Sequence, residues 1–403
     1  MTEMTPTNEA WLRLYALAKQ VGEVAPWTYM EESDLFGVKL PDTEDMVFIS
    51  VMGMANEYTA ISVYLGAEGL HAFWRLQDGE IEENPLTLFT VPQIQLAFGD
   101  RDEVEPEDRA LFKRLGLKFR GKGKWPIFRV IEPGFLPWFI RQQDAQSMII
   151  ALEQLLEVAP RFEQNEMLFN PPDGLIDASD EDDEVVFVRV PTRTDQDITW
   201  ADAFLIIPPP EPKPLQPNVD PDLLQKAQAL PITSTITELG VFMTSMPTLG
   251  EDQRPFFPFL MLLVEADTAV VLGQDIFPPL PTMQEMWWNT PNHLLNILLN
   301  LGSVPKTIRV PVPRIVDLME PVGSALRISF INVEECPTLN VVVNNLTAMM
   351  NNPLLGALAN LGLDEELLEE MLADFDAEGF DFGIFDEDDK EVDKKPRKGK
   401  RRK

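Results

Sequence analysis

Between Leu111 and Arg129 the chain sets seven bases, Lys113, Arg114, Lys118, Arg120, Lys122, Lys124 and Arg129, among the rings of Phe119, Trp125 and Phe128. Bases interleaved with rings can hold a phosphate or a single nucleic-acid strand by charge while a ring stacks on a base. Gly121 and Gly123 leave backbone amides open to an anion. Lys118, Arg120, Lys122, Lys124 and Trp125 are therefore the candidate ligand- or phosphate-binding residues. The plainer reading is a basic loop that neutralises an acidic face elsewhere on the chain, on a second domain or a tail.

Other chemistry is sparse. His71 and His293 are the only histidines, and neither sits in a zinc-binding or nucleophile-elbow pattern. His293 follows Pro291-Asn292 at an expected helix start, and His71 lies among Leu70, Phe73 and Trp74, so both read as structural. The single cysteine, Cys336, precludes a disulfide within the chain and a cysteine-based zinc site. No Walker loop, Gly-rich dinucleotide fingerprint or Ser-centred elbow occurs, and no cofactor or metal is expected. The Trp287-Trp288 pair reads first as core packing and second as the lining of an apolar groove with Phe256-Phe257.

Charge narrows the partners. Sixty-six acids face 33 bases across 403 residues, a formal net charge of -33. Such a surface repels polyanions, so nucleic acid is a possible partner that the overall charge disfavours. Met1 to Ala10 is polar and acidic, unlike a secretory signal, and no apolar run approaches the ~20 residues of a membrane helix. A cytoplasmic location without a membrane span is expected.

The elements that would carry these residues fall into two similar series. Trp11, Leu12, Leu14, Tyr15, Leu17, Ala18 and Val21 recur at helical spacing. β-type runs follow at 35–40, 46–52 and 60–65, then a helix at 67–76, a strand at 93–98, a helix at 106–115 opened by Pro106, a strand at 127–131 and a helix at 142–158. The second series opens with a helix at 221–229 and strands at 233–243, 257–265 and 269–272. A helix at 283–301, a strand at 307–310, a helix at 314–319, a strand at 325–331 and a helix at 339–350 complete it. The domains expected are 1–175, a connector of 176–219, 220–360, and a tail of 361–403. The connector holds the acidic run Asp177 to Glu184, two strands at 185–190 and 203–207, and a Pro-rich stretch from Pro208 to Pro214 that favours extended chain. Those strands could extend the first sheet or bridge to the second.

The fold class expected is thus α/β with mixed sheets, in two domains. Each has three antiparallel strands followed by α-β-α-β-α, by analogy the order of a ribonuclease H-like fold. Such a site needs carboxylates from the first strand, the end of the fourth and the last helix to converge on Mg²⁺. The first domain offers Asp34, Asp100, Asp102 and Asp144, of which Asp34, Asp100 and Asp144 are the weak catalytic candidates. In the second, the fourth strand ends Val310-Pro311-Val312-Pro313 without an acid, which excludes an ordinary metal nuclease.

Two sets of motifs carry a resemblance. The run from Leu111 to Gly121, with Trp125-Pro126-Ile127-Phe128-Arg129 and Pro133-Gly134-Phe135-Leu136-Pro137-Trp138-Phe139, resembles the signature of a bacterial domain family with no assigned activity. Pro291-Asn292-His293-Leu294-Leu295, the run Leu301 to Ile308, and Leu318-Met319-Glu320-Pro321 resemble a second bacterial domain of unknown function that often accompanies the first. The resemblance covers most of residues 9 to 350 and implies a bacterial origin without a mechanism. Some relatives end in a Cys-rich zinc motif, whereas this chain ends in Lys395 to Lys403 without cysteine.

The tail changes character again. From Asp364 to Asp393 there are 15 acids against Lys390 alone, and the ten residues from Lys394 carry 8 bases. Blocks of like charge read as a disordered tail. Phe375, Phe380, Phe382 and Phe385 stand among those acids as candidate partner-docking residues, with a solubilising or autoinhibitory tail as the alternative. The function expected is a non-enzymatic binding or accessory protein that works through a protein partner. The alternatives are nucleotide or nucleic-acid binding by the basic aromatic loop and, more weakly, a Mg-dependent nuclease.

Overall fold

The computed structural model describes residues 5–54, 58–78, 91–172, 185–194, 197–211, 214–244, 246–250 and 254–351. Helix α1 (Asn8–Val24) starts where the Thr7 side chain accepts the Ala10 N–H, and it turns Trp11, Leu14, Tyr15, Leu17, Ala18 and Val21 inward. The strands β1 (Phe36–Lys39), β2 (Met46–Met52) and β3 (Ala60–Leu65) form an antiparallel meander. After α2 (Gly66–Gln77), β4 (Gln93–Gly99) pairs antiparallel with β3. Helix α3 (Pro106–Leu115), β5 (Trp125–Ile131) and α4 (Gln142–Gln164) follow, and β5 lies antiparallel to β4.

The two connector strands, β6 (Val185–Arg193) and β7 (Ile198–Ile206), settle an open question of the sequence: they extend the first sheet. Its order is β5-β4-β3-β2-β1-β6-β7, and β6 runs parallel to β1. Alternate residues of β2 feed two cores. Val47, Ile49 and Val51 join the cluster shared with α1 and α4, while Phe48 joins Leu70 and Phe73 of α2 on the opposite face. Each of these fully buried side chains contributes roughly 1.5–3 kcal/mol. A buried Arg189 fastens α4 to the extension: it reaches Gln154 Oε1 at 3.1 Å, Glu157 at 2.5 Å and the carboxylate of Asp202.

The second sheet is built from α5 (Pro221–Gln228), β8 (Ile232–Met243), the two-residue strands β9 (Thr248–Leu249) and β10 (Pro255–Phe256), β11 (Phe259–Glu265), β12 (Val271–Phe277), α6 (Met283–Leu301), β13 (Val304–Val310), α7 (Pro313–Leu326), β14 (Ser329–Asn332) and α8 (Pro337–Asn351). Its order is β12-β11-β8-β13-β14, with β13 parallel to both β8 and β14. Helices α5, α6 and α7 cover one face. The start of α8 lies against the other, so close that a Cβ on Gly240 would stand 2.6 Å from Leu339 Cδ2. The fold is thus α+β, with two mixed sheets.

A short strand-like contact joins the two parts. Phe135 bridges Phe256, Phe257 N–H donates to Gly134 O at 2.8 Å, and Arg254 pairs with Glu132 at 2.6 Å while lying over the Phe135 ring.

Candidate functional site

The basic segment lies between α3 and β5. Gly116, at φ 71°, ends α3, and from there burial alternates: Leu117 and Phe119 are half-buried while Lys118 and Arg120 are exposed. Phe119 is the inward anchor, 4.8 Å from Phe112 and 5.8 Å from Tyr15 between ring centroids. The turn at Gly121 and Gly123, both at positive φ, then presents Lys122 and Lys124 to solvent. None of Lys118, Arg120, Lys122 and Lys124 forms an ion pair or hydrogen bond among the described residues.

Two expectations about this segment change. The Gly123 amide is not open to a phosphate, because it donates to Asp100 Oδ1 at 2.6 Å. A carboxylate already occupies the place reserved for an anion, and Asp100 pins the loop. Trp125 is half-buried: it packs on Phe112 and Phe119, at 6.1 and 6.0 Å, and also lines the hollow beside Arg120 and Lys122. Arg129 points inward and pairs with the buried Asp108 at 2.5 Å, holding β5 to α3.

Further rings are supplied from elsewhere. A groove of about 520 Å³ opens between the C-terminal half of α1 and the basic segment. Lys19, Lys118, Arg120 and Lys124 rim it, and Trp27 and Phe98 form an apolar floor, with ring centroids 5.2 Å apart and planes tilted by 52°. Gly22 of α1 faces Phe98, where a Cβ would lie 3.6 Å from Cε1. Sequence reasoning missed both residues: Trp27 and Gly22 stand some ninety positions before the bases, and only a glycine inside an apolar helical pattern marks the spot. A second, more open hollow of about 660 Å³ lies across the segment, between Arg120, Lys122 and the turn Asp100 to Asp102.

The three candidate acids do not come together. Asp34 accepts the Glu31 N–H at 2.7 Å in the turn before β1. Asp100 follows β4 at the same end of the sheet, but β4 is three strands from β1, roughly 14 Å away. Asp144 is buried in the first turn of α4 and accepts the Arg141 N–H at 2.8 Å. Arg141 also pairs with Glu132, beyond the opposite end of β5, about 20 Å from the Asp100 end. Among the described residues no group of three or more His, Cys, Asp or Glu could hold a metal ion. Phe375, Phe380, Phe382 and Phe385 lie outside the described residues.

Residues 11–176 match a domain of unknown function, DUF7309, and residues 223–347 match a second, DUF6930. The chain carries these two domains in tandem. No curated protein and no solved structure matches it. No helix among the described residues is long and apolar enough to cross a membrane.

In the DUF7309 domain, His71 donates to the Ile207 carbonyl, with Nε2 3.0 Å from that oxygen, and packs edge-on to Trp74. In the DUF6930 domain, His293 sits inside α6 and not at its start, because the helix begins at the Thr282 cap eleven residues earlier. Its Nδ1 lies 2.8 Å from Asp275 and its ring stacks on Phe277 at 3.9 Å. Sequence reasoning also passed over Glu238, which is buried in the central strand β8 and accepts the Leu339 N–H at 2.7 Å, so it caps α8. Cys336 lies just before that helix; burial, with the Glu238 charge adding to it and Arg309 opposing it, pushes its thiol up to about 11.

Proposed function

We propose that the protein is a non-enzymatic binding protein that acts through contacts with a protein partner, and that the basic groove of the DUF7309 domain is its docking surface. One observation carries this reading: in a chain of net charge -33, three exposed bases, Lys118, Arg120 and Lys124, without an ion-pair partner among the described residues rim an aromatic floor. Cations left uncompensated among the described residues of so acidic a chain favour an acidic segment as their ligand. The arrangement suits a short acidic segment better than a nucleic-acid strand. A strand needs a continuous positive track, and here Glu23 stands at one side of the bases and Asp100 and Asp102 at the other.

The sheet of the DUF6930 domain supports a ribonuclease H-like reading for that domain alone. Its first three strands, β8, β11 and β12, are antiparallel, and the fourth and fifth run parallel on the other side of the first. In the DUF7309 domain the fourth strand lies beside the third, and β6 takes the parallel place beside β1. The nuclease alternative has little support in either domain: the acids of the first are dispersed, and in the second Glu238 spends its carboxylate on α8, opposite Arg309 of β13.

The test is fluorescence anisotropy of two labelled probes against the full chain: an acidic peptide alternating Glu and Ser, and an oligothymidylate of equal length. The expected result is peptide binding that is lost when Lys118, Arg120, Lys122 and Lys124 are all changed to Glu. Tighter binding of the oligothymidylate supports the nucleic-acid reading instead. Peptide binding that survives charge reversal, or no binding of either probe, overturns the proposal.

A further inference from the structure

We infer that the groove recognises an acidic segment carrying one aromatic side chain, and that Gly22 sets the depth of the pocket that takes that ring. This rests on the docking reading above and specifies its ligand. Two features of the groove ask for different parts of a ligand.

The rim asks for carboxylates at alternate positions. Lys118 and Arg120 are two residues apart on a segment whose burial alternates, so both project to the solvent side, about 7 Å apart as in extended chain. Carboxylates at positions i and i+2 of an extended partner have the same spacing. Lys19 is engaged by Glu23 at 3.7 Å, which leaves Lys118, Arg120 and Lys124 as the charges of the rim that are uncompensated among the described residues. The segment's own anion contact is likewise to a carboxylate, that of Asp100 on the Gly123 amide.

The floor asks for a ring. Trp27 and Phe98 are half-buried, tilted to one another, and open toward the groove. A third aromatic ring packs against such a pair edge-on or offset, gaining more than its area alone supplies. Space for it exists because Gly22 has no side chain on the α1 wall facing Phe98. Its backbone is helical, and a glycine inside a helix costs about 0.5–1 kcal/mol relative to alanine. Neither a turn nor a positive φ calls for it here. The absence of a side chain at this wall therefore serves the cavity.

The experiment compares two fluorescein-labelled peptides that alternate Glu and Ser, one with a central Phe and one with a central Ala, against the full chain and two variants. On the wild-type chain the Phe peptide is expected to bind at least about 10-fold more tightly, the effect of burying one ring. Gly22→Leu fills the wall and is expected to abolish that preference. Gly22→Ala, whose Cβ makes only ordinary contact with Phe98, is expected to keep it. Equal affinity of the two peptides, with binding still dependent on the four bases, overturns this inference and leaves the docking surface standing. Loss of base dependence overturns both. Because the peptide pair is compared on the wild-type chain first, the outcome does not depend on whether Gly22→Leu folds.

Discussion

Removing the Asp108 carboxylate should unseat the strand and helix that flank the basic segment. Asp108 is 4% exposed and Arg129 14%, and the two are joined by bonds of 2.5 and 3.2 Å. In Asp108→Ala the guanidinium keeps, among the described residues, the Phe128 carbonyl at 2.8 Å and the face of Phe139 at 4.6 Å. Breaking a buried pair by deleting one partner costs about 3–5 kcal/mol, because the other charge is stranded. The remaining carbonyl contact and partial exposure of Arg129 put the loss at the lower end, about 3 kcal/mol. In the double variant Asp108→Ala/Arg129→Met no charge is stranded, so the cost should fall to about 1 kcal/mol, about 2 kcal/mol less than in the single variant. Urea titration followed by tryptophan fluorescence and by circular dichroism measures both values, with an expected midpoint shift of about 1 M or more for the single variant. A single-variant loss below about 1 kcal/mol, or a double variant no more stable than the single, would refute the reasoning.

Three further outcomes are expected. Gly134 has φ 84°, and a Cβ there would lie 2.9 Å from Met283 Sδ and 3.1 Å from Pro279 Cβ, so Gly134→Ala should destabilise the seam between the domains by about 1–2 kcal/mol; an unchanged Tm in calorimetry contradicts this. Burial opposes ionisation of Asp202, but hydrogen bonds from Arg161 and Arg189 outweigh it and hold the carboxyl below its ordinary value of 3.8. A depressed folded-state value means the contribution is complete above the ordinary value and is lost as pH falls below about 4. The stability gap between wild type and Asp202→Asn should therefore be present at neutral pH and close in acid, and a gap that widens in acid counts against the pairing. For Cys336, a shift from 9.0 to about 11 leaves about 100-fold less thiolate near neutral pH; iodoacetamide should modify it only after unfolding, and rapid labelling of the native chain would contradict its burial.

Local structure was legible wherever local signals agreed. Pro106, two acids in the first turn and Gly116 bracket α3, and the helix spans Pro106–Leu115 as read. Prolines misled at α4 and α7. The reading stopped them at Val158 and Met319, but α4 runs through Pro160 to bury Phe162, and α7 runs through Pro321 to bury Val322 and Leu326. Tertiary burial outweighs the lost amide bond at each. Strand β12 was read short because Gln274 and Asp275 interrupt its apolar pattern on an edge of the sheet. Strand neighbours were not legible, since the placement of β6 beside β1 pairs residues some 150 positions apart.

The site divides the same way. Its bases lie in one run and could be read directly. The fold that brings Trp27 and Gly22 opposite the bases is a long-range consequence of α1 packing on the sheet. Asp100 looked like a candidate metal ligand because an acid after a strand fits that role equally well; its bond to Gly123 depends on a loop 23 residues later.

Hydrogen exchange of the full chain, with and without the acidic phenylalanine peptide, tests the central claim most directly. Slower exchange confined to residues 18–27 and 117–126 is the expected result. Unchanged exchange there, or protection concentrated on the DUF6930 domain, would contradict a docking groove at the basic segment.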